Sequence, residues 1–280
     1  MFSGCIFAAM KKTCVSILSG LLLLWMAAGC DLIEYHPYDA RTDGVSDVNA
    51  HAIKRIAKAC AGCDTIRFAL IGDTQRQYDE TEELVASINA RDSLDFVIHG
   101  GDLTDFGLTK EYLWMYDILS DLRVPFVTLI GNHDVLGNGY AVFRSMFGAE
   151  NFSFSAGNVR FVCLNTNAIE YDYSTPVPDF TFLRSRIDED ALHPGMRTIV
   201  AMHSPPFSDQ FNNNVADAFE GYVTRFSDLV CCLHAHGHSY EHADLFGDGV
   251  MYYSPPTPKK RHYLIFTVTP TTYAHEVVWF

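Results

Sequence analysis

From Val48 onward the chain alternates between stretches whose apolar residues recur every three or four positions and short runs that are apolar almost throughout. Val48, Ile53, Ile56 and Cys60 fall at helical spacing, with Asp47 expected to cap their helix. TIRFALIGD predicts a strand ending in a turn, and DETEELVASINA a helix whose first-turn acids oppose the dipole. LDFVIHGGD, KEYLWMYDILSDL and VPFVTLIGNHD repeat the pattern as strand, helix and strand. FSFS and VRFVCLN predict paired strands around the turn Ala156-Gly157-Asn158. DFTFLRSRIDED and ADAFEGYVTRFSD predict helices, RTIVAMHSPP and LVCCLHAH strands, and HYLIFTVTP and YAHEVVWF two more strands. Strand–helix alternation followed by strand pairs predicts one α/β layered domain with mixed sheets over residues 47–280.

The N-terminal pattern differs. Lys11 and Lys12 precede an apolar run from Val15 to Trp25, followed by Met26-Ala27-Ala28-Gly29-Cys30, the layout of a secretory signal. Small residues directly before a Cys resemble the lipobox of bacterial lipoproteins. That resemblance implies a signal peptide over 1–29, lipid on Cys30, a tether over 30–46 and a place in the cell envelope. Hydrophobic content of 48% with 19% charged residues excludes a disordered chain. A net charge of −14 argues against nucleic acid or an anionic membrane surface as partner, and repels anionic substrates unless bound cations reverse the sign locally. Cys60-Ala-Gly-Cys63 reads as a local disulfide or two free thiols, because no second CxxC completes a four-thiolate zinc site.

The chemistry sits where the strands end. Asp73 with Gln75, Asp102 with Asp105, Asn132 with His133 and Asp134, His203, and His236 with His238 each follow a predicted strand. Open α/β sheets gather such loops at the carboxyl ends of their strands, and carboxylate, amide and imidazole donors together suit Zn, Mn or Fe. His236 and His238, two apart on an expected strand, would face the same side. His99 and His234 are expected to be buried supports rather than ligands.

GDTQ, GDLTD, GNHD, MHSPP and AHGH resemble, in order and interval, the five motifs of calcineurin-like metallophosphoesterases. The resemblance implies two packed mixed β-sheets flanked by helices, a four-layer sandwich holding two divalent ions. It implies that Asp102 bridges the ions, that Asp73, Gln75 and His238 complete one, and that Asn132, His203 and His236 complete the other. A hydroxide held between the ions would attack phosphorus. His133 would protonate the leaving group or stabilise the transition state, with Asp105 orienting its imidazole. Asn132 would also touch substrate, and Arg76 is a further candidate phosphate contact by position. The implied substrate is a phosphorylated small molecule or ester. Gln75 stands where the family most often has His, which implies weaker or harder metal binding there. The absence of an Arg after Asp105 counts against phosphoprotein substrates, and Ala235 replaces a Gly. SDQFNNNVADAF and SPPTPKKR are the expected rim of the site. The competing expectation is a lipid-anchored module that binds metal or phosphate with little chemistry.

Overall fold

A computed structural model describes His36, residues 38–170 and residues 176–280. The expected signal peptide and Cys30 lie outside the described residues. Helix α1 (Val48–Ala59) precedes β1 (Ile66–Ile71), α2 (Tyr78–Asn89), β2 (Phe96–His99), α3 (Thr109–Ser120), β3 (Phe126–Thr128) and α4 (Gly139–Met146). Then come β4 (Phe152–Ala156), β5 (Val159–Leu164), α5 (Phe180–Asp190), β6 (Arg197–Met202), α6 (Ala216–Val223) and β7 (Leu229–Leu233). The last elements are β8 (Glu241–Asp244), β9 (Met251–Ser254), β10 (His262–Val268) and β11 (Tyr273–Trp279).

The strands form a 5-stranded sheet in the order β11-β10-β1-β2-β3 and a 6-stranded sheet in the order β4-β5-β6-β7-β9-β8. Within them β1, β2 and β3 run parallel, as do β5, β6, β7 and β9. This bears out two mixed sheets flanked by helices, and the physical cause is legible in β1. Phe68 and Leu70 face the core between the sheets, while Ala69 and Ile71 face α2, α3 and α4, so both sides of the strand are buried. Phe68 stacks at 5.3 Å on both Phe96 and Phe266, its strand neighbours, and meets Phe161 of the other sheet edge-on at 5.2 Å. Truncating such a ring to Ala costs about 3–5 kcal/mol. A third apolar cluster packs α5 and α6 onto the outer face of β5, β6 and β7.

Several expectations change at element ends. Asp47 precedes α1 but sits at φ 54° and makes no side-chain cap bond. Helix α4 and the β8–β9 hairpin were not foreseen; all four β8 residues are exposed, so no apolar alternation marks that strand. Cys60 and Cys63 are free thiols, and burial pushes the Cys60 thiol up to about 11. Part of the expected tether rests on the domain: Thr109 donates to the Asp39 carbonyl, and Val45 packs against the core beside α1.

Candidate metal centre

The loops after β1, β2, β3, β6 and β7 converge at the carboxyl ends of the two parallel strand sets. Their backbones brace one another. Asp73 N donates to Gly101 O at 3.0 Å, while Thr74 N and Gln75 N reach Asp102 O at 3.0 and 3.1 Å. The clamp between the second and third loops is Asp134. Its fully buried carboxylate accepts from Asp102 N, Leu103 N, Thr104 N, Thr104 Oγ1 and Gly131 N at 2.8–3.0 Å. Gly131 is required there, because a Cβ on it would lie 2.1 Å from Asp102 Oδ1. The backbone is held in an unfavourable region at the donors themselves. Asp73, Asp102, His236 and His238 have φ of 52°, 60°, 69° and 54°, positions that persist only where surrounding contacts enforce them.

Two groups of donors result. Asp73, Asp102 and His203, all buried, offer ligand atoms within 4.8 Å of one another. On one side, Gln75 Nε2 donates to Asp102 Oδ2 at 3.3 Å and lies 3.5 Å from His238 Nε2, itself 3.8 Å from Asp73 Oδ1. On the other, Asn132 Oδ1 is 3.0 Å from both His203 Nε2 and His236 Nδ1. The loops thus bring the seven residues expected as ligands into one neighbourhood.

Electrostatics says what this arrangement wants. Burial raises the Asp73 carboxyl to about 7, and its Oδ2 has no hydrogen-bond partner. Gln75 Oε1 is likewise buried without a partner; the amide ends are isosteric, so a half-turn offers that oxygen to the same group of donors. His203 is buried, which disfavours charge, yet Asp102 at 3.4 Å, Asp73 and the Gly100 carbonyl together outweigh burial and lift it to about 9. The same contact holds Asp102 below its ordinary value despite burial. His203 Nδ1–H donates to Gly100 O at 2.9 Å, so Nε2 carries the extra proton among acceptors. The residues present fit metal ions: a divalent cation would take the place of that proton, and Asp73 Oδ2 and Gln75 Oε1 would gain a partner.

His133 stands beside this group, its N–H donating to Asp102 Oδ1 at 2.9 Å. Its ring is oriented differently from expectation. Nδ1 lies 2.9 Å from the Asp105 main-chain carbonyl, while the Asp105 carboxylate is 3.7 Å away and pairs with Arg76 at 2.5 Å. Arg76 therefore lines the cleft with its charge offset by Asp105. That cleft, about 440 Å³, is walled by Gln75, Arg76, Gln77, His133, His238 and Lys259 among others.

The strand argument for His236 and His238 is corrected. β7 stops at Leu233, and Gly237 N turns back to Ala235 O at 2.8 Å. Left-handed backbone, not strand period, sends the two rings to different donor groups. Ala235 fits because its methyl packs over Gly72 and Gly100, where a Cβ would come within 3.0 and 2.8 Å of it. His99 and His234 are buried supports: His99 accepts from Gly101 N and bonds Thr74 Oγ1, and His234 donates to Ala235 O. Two contributors were missed. Asp134 was in view as part of GNHD but had no role, and Asp209, which meets His236 Nε2 at 2.7 Å, had no sequence signal beyond its place in the expected rim.

Residues 66–240 match the sequence profile described as Calcineurin-like phosphoesterase. A 3',5'-cyclic-nucleotide phosphodiesterase of Nostoc sp. is 29% identical over 120 residues, covering 42% of this chain and 44% of that protein. The alignment thus spans less than half of that relative. Among solved structures, a dimetal phosphatase from Danio rerio has a TM-score of 0.57 at 13% identity, over 75% of this chain and 98% of that one. GAP50, the anchor in the inner membrane complex of Plasmodium, has a TM-score of 0.58 at 11% identity, over 77% of this chain and 85% of its own. At such identities the structural likeness concerns the fold.

Proposed function

The chain belongs to the calcineurin-like phosphoesterase family, and from that premise we propose that it hydrolyses phosphoric esters with two divalent cations. The observation that carries this is the meeting of Asp73, Asp102 and His203 within 4.8 Å, with Asp73 Oδ2 buried and unpartnered. When bound, the ions acidify a water and neutralise charge gathering on phosphoryl oxygens. Asp73, Gln75 and His238 would hold one, Asn132, His203 and His236 the other, with Asp102 between them. Gln75 as a neutral oxygen donor favours a hard ion such as Mn at the first position.

His133 supplies the proton chemistry. Its Nδ1–H is fixed on the Asp105 carbonyl, so Nε2 is the atom left for substrate. Protonated, that nitrogen donates to a departing alkoxide; neutral, it can only accept. Arg76 and Lys259 line the cleft beside it but are balanced by Asp105 and Glu80, so attraction for an anionic substrate would rest on the bound cations. Similarity to the Nostoc phosphodiesterase supports diesters, and the fold shared with the dimetal phosphatase is compatible with monoesters.

The experiment counts metal by mass spectrometry on the purified 280-residue chain and assays nitrophenyl mono- and diesters with added Mn. Two ions per chain with turnover is the expected result. One ion or none, with no turnover, would favour a binding module instead. The lipid anchor is a separate proposal resting on Met26-Ala27-Ala28-Gly29-Cys30. Radiolabelled palmitate should enter the wild-type chain and be lost in Cys30→Ser; equal labelling of both rejects it.

A further inference from the structure

Asp209 lies on the connection between β6 and α6, outside the donor set, and its carboxylate is 81% exposed. Exposed carboxylates usually point into water, but this one accepts from His236 Nε2 at 2.7 Å. The loop around it is braced from several directions. Phe207 N donates to Asn213 Oδ1 and Asn213 Nδ2 to Ser208 O, each at 2.8 Å. Ala168 N donates to Gln210 O at 2.9 Å, tying the loop to the segment after β5. The Phe207 ring packs on Phe246 of the β8–β9 turn at 4.9 Å. Phe207 itself is held at φ 70°, a left-handed conformation that a free loop would relax. Asp209 is thus presented to His236 by the fold.

A neutral imidazole carries one proton, and a carboxylate accepts it more strongly than an amide oxygen does. The proton therefore sits on Nε2, facing Asp209. That leaves Nδ1 with its lone pair directed at Asn132 Oδ1, 3.0 Å away, itself an acceptor. Two acceptors at that distance repel, and a cation shared between them turns the repulsion into coordination.

We propose that Asp209 is a positioning residue for the second ion: it locks His236 in the Nε2–H tautomer, keeps Nδ1 free as a metal ligand and raises its basicity. This rests on the two-ion reading, and the test separates the two. Long-range 1H–15N correlation spectra of metal-free protein read the His236 tautomer without any ion. The Nε2–H form should dominate in the wild type and lose dominance in Asp209→Ala, with Asp209→Asn between them. Calorimetric titration of Mn into the full chain should show one of two sites, the same one that Asn132→Ala weakens, weakened roughly 10- to 100-fold in Asp209→Ala, the other staying within about twofold. Thermal unfolding of the metal-free variants should match wild type, since the side chain is exposed. A tautomer unchanged in Asp209→Ala, or second-site affinity unchanged in it, overturns the proposal. Wild-type protein binding fewer than two ions sinks the two-ion reading, while the tautomer result still decides whether Asp209 controls His236.

Discussion

His133 Nδ1 lies 2.9 Å from the main-chain carbonyl of Asp105, and the Asp105 carboxylate, 3.7 Å away, is committed to Arg76. The imidazole is therefore oriented by backbone, which no side-chain substitution deletes.

It follows that Asp105→Asn should lower kcat only modestly, by less than about tenfold. His133→Ala should lower it by about 10²–10⁴-fold while metal content stays at the wild-type value. Steady-state kinetics paired with metal analysis reads both. A His133→Ala enzyme with wild-type rates would remove this residue from the chemistry.

Asp134→Ala should be among the most damaging single changes away from the ligands. It strips one carboxylate from five donors that hold the second and third loops together. Each buried donor left without a partner costs about 1–3 kcal/mol. Chemical denaturation should reveal a loss of at least about 3 kcal/mol, with metal affinity falling alongside because Asp102 loses its backbone support.

Gln75→His should tighten the first ion and move its preference toward zinc, since imidazole is a softer donor than an amide oxygen. Competition titrations with Mn and Zn check this. Identical selectivity in wild type and variant would mean that Gln75 is not a ligand.

A pH effect arises on α6, outside the donor groups. Glu220 is buried beneath Tyr252, whose hydroxyl donates to it, and burial raises its carboxyl to about 7 from an ordinary 4.5. The raised value means that folding favours the protonated acid. Wild-type stability is therefore highest below about pH 4.5 on this account and falls as pH rises through about 7. Glu220→Gln removes that slope. Its melting temperature should exceed wild type by a few degrees at pH 8, with the gap narrowing on acidification toward pH 5. A gap constant across that range would contradict the assignment.

By itself the sequence determined the alternation of elements and an α/β domain with mixed sheets; the two-sheet class and the seven candidate ligands came with the family resemblance. The alternation was written in local pattern: doubly buried strands read as continuous apolar runs, and the runs before Asp73, Asp102 and Asn132 each ended in a polar residue beside a glycine. What it could not determine was how those residues are aimed. Strand period was the right guess for an extended His236 and His238, but a turn at Gly237 and left-handed backbone sent the rings apart. Asp105 keeps its place beside His133 while acting through its carbonyl, because its carboxylate found Arg76. Asp134 and Asp209 act through contacts 30 and 27 residues distant in sequence. Such contacts depend on loops brought together by the packing of two sheets, and no spacing along one chain encodes a distance across it.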